Sequence, residues 1–158
     1  MLLLHFHFKS IMMFRIEYKI TSGQPEELKH TSDEEVRNNF LLGNVSFISS
    51  KAEIEMEWEW IPMLDFAYCL QMIVSSLKVK DTAKEYYEFT ENAESLEFSR
   101  QGEQLKIIAS FSSTVVEAIF ADFEMAVNDF HISISDYVRT NTSGELPSVL
   151  QKYLVVET

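Results

Sequence analysis

The chain has 158 residues, which fits one domain and leaves no room for two full-sized ones. Its hydrophobic share of 46% and charged share of 24% belong to a folding globule, long enough to bury a core without a metal or disulfide staple. Thirteen Lys and Arg against 25 Asp and Glu leave a formal charge of −12, which argues against nucleic acid and anionic membrane as partners.

Residues 1–12 open with the apolar run Leu2-Leu3-Leu4. No cationic segment precedes it and no small-residue cleavage site follows, so it does not read as a secretory leader, and it is too short to span a bilayer. Two readings remain: an edge strand with Leu4, Phe6 and Phe8 alternating, or sequence upstream of a start at Met12 or Met13. The second is favoured. From Met13 to Ile20 the chain alternates, with Phe14, Ile16, Tyr18 and Ile20 on one face and Arg15, Glu17 and Lys19 on the other. That period predicts a half-buried strand. Thr21 to His30, with Gly23 and Pro25, predicts a loop. Ser32 and Glu35 have capping-box spacing, which predicts a short helix over Asp33–Leu41 ending near Gly43.

Val45 and Phe47 begin a strand, and Ser49-Ser50-Lys51 predicts a turn. Beyond it Ile54, Met56, Trp58 and Trp60 alternate with Glu53, Glu55, Glu57 and Glu59. A strand sends successive side chains to opposite faces, so four carboxylates form an outward row over four inward apolar groups. A helix would scatter the same glutamates around its axis. Pro62 suits a first helical turn, and Met63–Lys78 is apolar on nearly every side, which predicts the central buried helix with Cys69 and Met72 filling core volume.

After the polar stretch Lys78–Lys84 come strands over Tyr86–Thr90, Ser95–Ser99 and Gln104–Phe111. Gly102 supplies the positive φ of a hairpin that sets Leu96 and Phe98 against Leu105, Ile107 and Ala109. Ser113–Val138 predicts a long amphipathic helix with the stripe Val116, Ile119, Phe120, Phe123, Val127, Phe130 and Ile134. Opposite it lie Asp122, Asp129 and Asp136, seven apart, flanked by Glu117 and Glu124. The β-branched run at Ile132–Ser135 marks a place for a break. Asn141–Pro147 is a loop, and Ser148–Thr158 an apolar tail for docking on the core. Together these elements predict an α+β domain over residues 13–158. It has an antiparallel sheet of about five or six strands, a buried central helix and a long amphipathic C-terminal helix.

No motif points to catalysis. Carboxylate pairs need a pocket that drives their pKa values apart, and these lie on solvent faces. His5 and His7 share a strand face, but a metal site needs three or four ligands. Cys69 as a nucleophile needs exposure and a base, and its helix is buried. As the only cysteine it excludes an internal disulfide and a four-cysteine zinc site, and fits a reducing compartment. Four scattered glycines form no phosphate cradle. No cofactor is expected. What stands out is patterned negative charge: Glu53, Glu55, Glu57 and Glu59, then Asp122, Asp129 and Asp136. It offers contacts for a cation-rich protein, with the chain a monomer or weak homodimer.

Two stretches, Trp58-Glu59-Trp60-Ile61-Pro62-Met63-Leu64-Asp65-Phe66-Ala67 and Tyr87-Glu88-Phe89-Thr90-Glu91 with the hairpin that follows, carry a resemblance. In order, size and acidity the region from Met13 to about Leu150 resembles the small acidic immunity proteins of bacterial polymorphic toxin systems, including those paired with wall-associated Rhs/YD-repeat toxins. The resemblance implies a cytoplasmic, non-enzymatic protein that binds a toxin domain, often a cationic nuclease, and blocks it. It carries no catalytic residue over to this chain.

Overall fold

A computed structural model describes residues 13–22, 32–142 and 145–155. Residues 1–12, including His5 and His7, and most of the loop expected before Ser32 lie outside these. The chain is α+β. Strands β1 (Phe14–Ser22), β2 (Leu42–Ser49) and β3 (Glu53–Pro62) form a three-stranded antiparallel meander. Strands β4 (Thr82–Glu88), β5 (Ser95–Gln101), β6 (Gln104–Ala109) and β7 (Val115–Ile119) form a four-stranded one. Short helix α1 (Asp33–Asn38) precedes β2, α2 (Met63–Leu77) joins the sheets, α3 (Phe120–Thr140) follows β7, and α4 (Ser148–Gln151) ends the described chain. Among the described residues no helix is long and apolar enough to cross a membrane.

The expected single sheet is thus two sheets. Helix α2 stands between β3 and β4 in the chain, and the described strands before and after it pair among themselves. The seventh strand comes from residues assigned to the long helix. Val116 and Ala118 are buried while Val115 and Glu117 are exposed, a period of two, and they pair with Ile107 and Leu105 of β6. The apolar positions of 116–123 satisfy a helical period as well, and β-branched Val115 and Val116 tip the balance to strand once β6 offers a ladder. The helix starts at Phe120, whose N–H donates to the Glu103 carbonyl at 2.7 Å, and runs unbroken through Ile132–Ser135.

Other boundaries moved for equally local reasons. Ser32 caps α1 through its hydroxyl, which accepts from the Glu35 N–H at 3.2 Å, but the helix stops at Asn38. Leu41 then takes a φ of +56° and its carbonyl accepts the first α2 N–H, from Met63, at 2.9 Å. Pro62 is therefore the last residue of β3 and not the first turn of α2. Gly43 does not end a helix. It sits in β2 where a Cβ would stand 2.0 Å from the Lys19 carbonyl oxygen of β1. Strand β4 begins four residues before Tyr86 and ends at Glu88, because Thr82 onward pairs with β5 as far as Gln101.

The hairpin of β5 and β6 has the expected register, with Leu96 opposite Ala109 and Phe98 opposite Ile107, and Gly102 at φ +63° in its turn. Phe47 unites the layers: its ring lies 5.9 Å from Phe14 of β1, 6.1 Å from Phe66 of α2 and 6.2 Å from Phe98 of β5. Helix α2 is less enclosed than expected. Its Phe66 and Leu70 are fully buried, but Cys69 is half-buried and Met72 is 55% exposed, so Met72 fills no core volume. Arg100 closes the end of α2 by donating to the Leu77 carbonyl at 2.8 Å, with its guanidinium 4.2 Å above the Phe120 ring.

The C-terminal segment docks as expected over its described part, burying Leu150, Tyr153 and Leu154. Three α3 side chains spaced by four grip its backbone. His131 bonds the Tyr153 carbonyl, Ser135 accepts from the Val155 N–H, and Arg139 donates to the Val155 carbonyl.

Candidate docking surfaces

Strand β3 presents its glutamates as its alternation requires. Glu53, Glu55, Glu57 and Glu59 are all exposed, Ile54 and Met56 are buried, and Trp58 and Trp60 are half-buried. The ladder is interrupted: Val45 pairs with Met56 and Gly43 with Ile61, so four residues of β3 oppose Asn44 alone. A bulge of this kind bends a strand and re-aims its side chains. Glu59 adopts φ +66°, and its N–H donates to Asn44 Oδ1 at 2.7 Å. The two tryptophans stack with centroids 5.2 Å apart and meet Phe89 and Phe111 edge-on at 5.0 and 4.8 Å from Trp58. They close one end of the core instead of lying within it.

The outer face of this sheet is not uniformly acidic. Ser46 of β2 lies between Glu17 and Glu55, and Ile48 between Arg15 and Glu53. Arg15 and Lys19 thus line the β1 side while the four glutamates line the β3 side. Arg15 is taken up by its neighbour Glu17 at 2.9 Å, and none of the four β3 glutamates makes an ion pair.

Asp122, Asp129 and Asp136 stand off the buried stripe of α3, without ion pairs. Asp122 is half-buried and Asp129 exposed. They line a groove of about 800 Å³ between α3 and β1, whose floor and walls include Met13, Ile16, Tyr18, Met125 and Phe130. Asp136 lies beyond it and is exposed. The two acidic groups are therefore separate: the aspartates lie beside β1 and the glutamates two strands away on β3, roughly 10 Å across the sheet. Glu117, expected on the flank of the helix, is on β7, within 3.9 Å of Lys106.

The sequence sets Phe14, Ile16 and Tyr18 on one face of β1 without revealing a groove there, and its reading does not single out Met125. A signal existed: Met125 and Ile132 are apolar, seven apart and off the stripe, and both are exposed.

Ionisable groups with shifted pKa values lie elsewhere. Asp65, in the first turn of α2, is pushed up to about 6 by burial, against the pull of Arg37 and a hydrogen bond from Cys69. Burial and the neighbouring Asp65 drive the Cys69 thiol up to about 12, which leaves it protonated and a poor nucleophile. Burial also raises Tyr87 and lowers His131, the latter opposed by its bond to the Tyr153 carbonyl. Asp65, Tyr87 and His131 are buried, and Cys69 is half-buried. Among the described residues no three His, Cys, Asp or Glu side chains converge to hold a metal ion. Comparison with known proteins finds no matching family model, no matching curated protein and no matching solved structure.

Proposed function

We propose that the chain is a non-enzymatic immunity protein that binds and neutralises a basic toxin domain, such as a nuclease, in the cytoplasm. The observation that carries this reading is the unpaired, exposed carboxylate row Glu53, Glu55, Glu57 and Glu59 on one rigid strand, in a chain of net charge −12. Like charges fixed on one face repel one another. A cationic partner relieves that repulsion, and the field speeds encounter in a salt-sensitive way. Asp122, Asp129 and Asp136 form a second acidic contact group beside β1.

Exposed carboxylates also serve solubility and discourage edge-to-edge pairing. Binding differs from solubility in its consequence for a partner. Co-expression with a basic toxin domain encoded beside this chain should restore growth. Reversing the β3 glutamates to lysine, or the three aspartates, should weaken protection and affinity. Unchanged protection after reversal of both groups sinks the reading.

The groove beside α3 supports a second reading, a small-ligand site in a sheet–helix cleft, because its lining is largely apolar. A neutral ligand there would bind with little response to salt.

A further inference from the structure

Three properties meet at the groove between β1 and α3. The first is backbone: β1 pairs with β2 on one side, and among the described residues no strand covers its other edge. Among the described residues, the outward N–H and C=O groups along that edge have no ladder partner. The second is apolar surface, with Met13 57% exposed and Met125 65% exposed beside the floor of the groove. The third is charge. Among the described residues Asp122 and Asp129 on the lining have no ion pair, and the one cation there, Arg15, is already held by Glu17.

Edge, apolar floor and acidic rim together select an extended segment over a helix or a small ligand. Seven residues of helix set Asp122 and Asp129 about 10 Å apart along the axis. Side chains two and four apart on a strand lie roughly 7 and 13 Å apart, so flexible Lys or Arg stems reach both carboxylates. We infer that the groove takes an extended, cationic segment of the basic partner as an added strand on β1. On the face of that strand turned to α3, every second residue meets the groove, cations two positions either side of an apolar side chain that lies over Met125 and Ile16, so that the cations reach Asp122 and Asp129. This rests on the reading of the chain as a binder of a basic protein, and adds where that partner docks and in what shape. A second copy of the chain suits the groove less well, since it would bring together two bodies that each carry −12.

The test uses the full chain and the capped peptide Thr-Lys-Thr-Val-Thr-Lys-Thr-Val, whose even positions share one strand face, titrated by calorimetry at low and moderate salt. Binding is expected to weaken with salt and to fall at least about tenfold in the double variant Asp122→Asn, Asp129→Asn, which removes two charges from the exposed side of the helix without touching its buried stripe. Methylating alternate peptide nitrogens should abolish it by removing ladder donors, while glutamine at 53, 55, 57 and 59 should change it by less than about twofold. No binding, or binding indifferent to methylation, overturns the inference. So does a light-scattering dimer that the peptide cannot dissolve, or binding that appears only when residues 1–12 are removed, since each gives the groove another occupant. If affinity follows the β3 glutamates and not Asp122 and Asp129, the groove loses its role while the wider reading survives. If the toxin-protection assay fails while the peptide still binds the groove, the wider reading falls instead.

Discussion

Tyr18 on β1 and Ser133 on α3 meet hydroxyl to hydroxyl, 115 residues apart in sequence, and the Tyr18 ring lies 5.3 Å from Phe130. This contact ties the edge strand to the helix at the groove, so the width of the groove depends on it. Tyr18→Phe keeps the ring and removes the bond. It should lower stability by about 1 kcal/mol, a drop of roughly 2–4 °C in Tm. A thermal scan showing no change would mean that the aromatic packing alone holds the two elements together.

Gly43 of β2 lies hard against the Lys19 carbonyl of β1. Because an added Cβ would meet a backbone carbonyl at 2.0 Å, neither strand can yield by turning a side chain. Gly43→Ala should destabilise the protein by about 2–3 kcal/mol, and the β1–β2 amides should lose hydrogen-exchange protection before those of β5–β6. Uniform loss across both sheets would argue against a local clash.

Asp65 gives stability a pH dependence of definite sign. Its carboxyl is raised to about 6 in the folded state from an ordinary 3.8, chiefly by burial, so the native state holds the proton longer than the unfolded chain. Its contribution therefore falls as pH rises from about 4 to about 6, and the loss is complete above that. Asp65→Asn, neutral throughout, should match the wild type near pH 4 and exceed it by about 1–2 kcal/mol near pH 7.5. Paired urea titrations read the difference directly; a gap that does not widen with pH would exclude the burial cost as its cause.

Ser135 is fully buried and accepts from the Val155 N–H at 3.0 Å. Ser135→Ala leaves that N–H without its partner, at a cost of about 1–3 kcal/mol. Leu154→Ala should cost about 2–4 kcal/mol through the cavity it opens. Both variants should make the C-terminal segment the first site of limited proteolysis. An unchanged cleavage pattern would show that the remaining contacts of the segment suffice to hold it.

Local period made much of the fold legible. Strands β1 and β3 and the β5–β6 hairpin announce themselves by alternation, and α2 by a long apolar run after a proline, because side-chain direction repeats along the backbone whatever the rest of the chain does. Val115–Ile119 was misread because strand and helix periods both fit it, and only the neighbouring β6 ladder decides between them. Gly43 looked like punctuation after a helix, yet its meaning lies in β1, more than twenty residues upstream.

The same division holds for the candidate surfaces. Alternation alone foretold the exposure of Glu53, Glu55, Glu57 and Glu59, and composition alone dictated the sign of the protein's net charge. That Asp122 and Asp129 rim a groove, that β1 has no second partner strand among the described residues, and that β2 parts the β1 side from the glutamates of β3 were decided by tertiary structure. Sheet order and helix docking depend on pairings between distant segments, which no local repeat records.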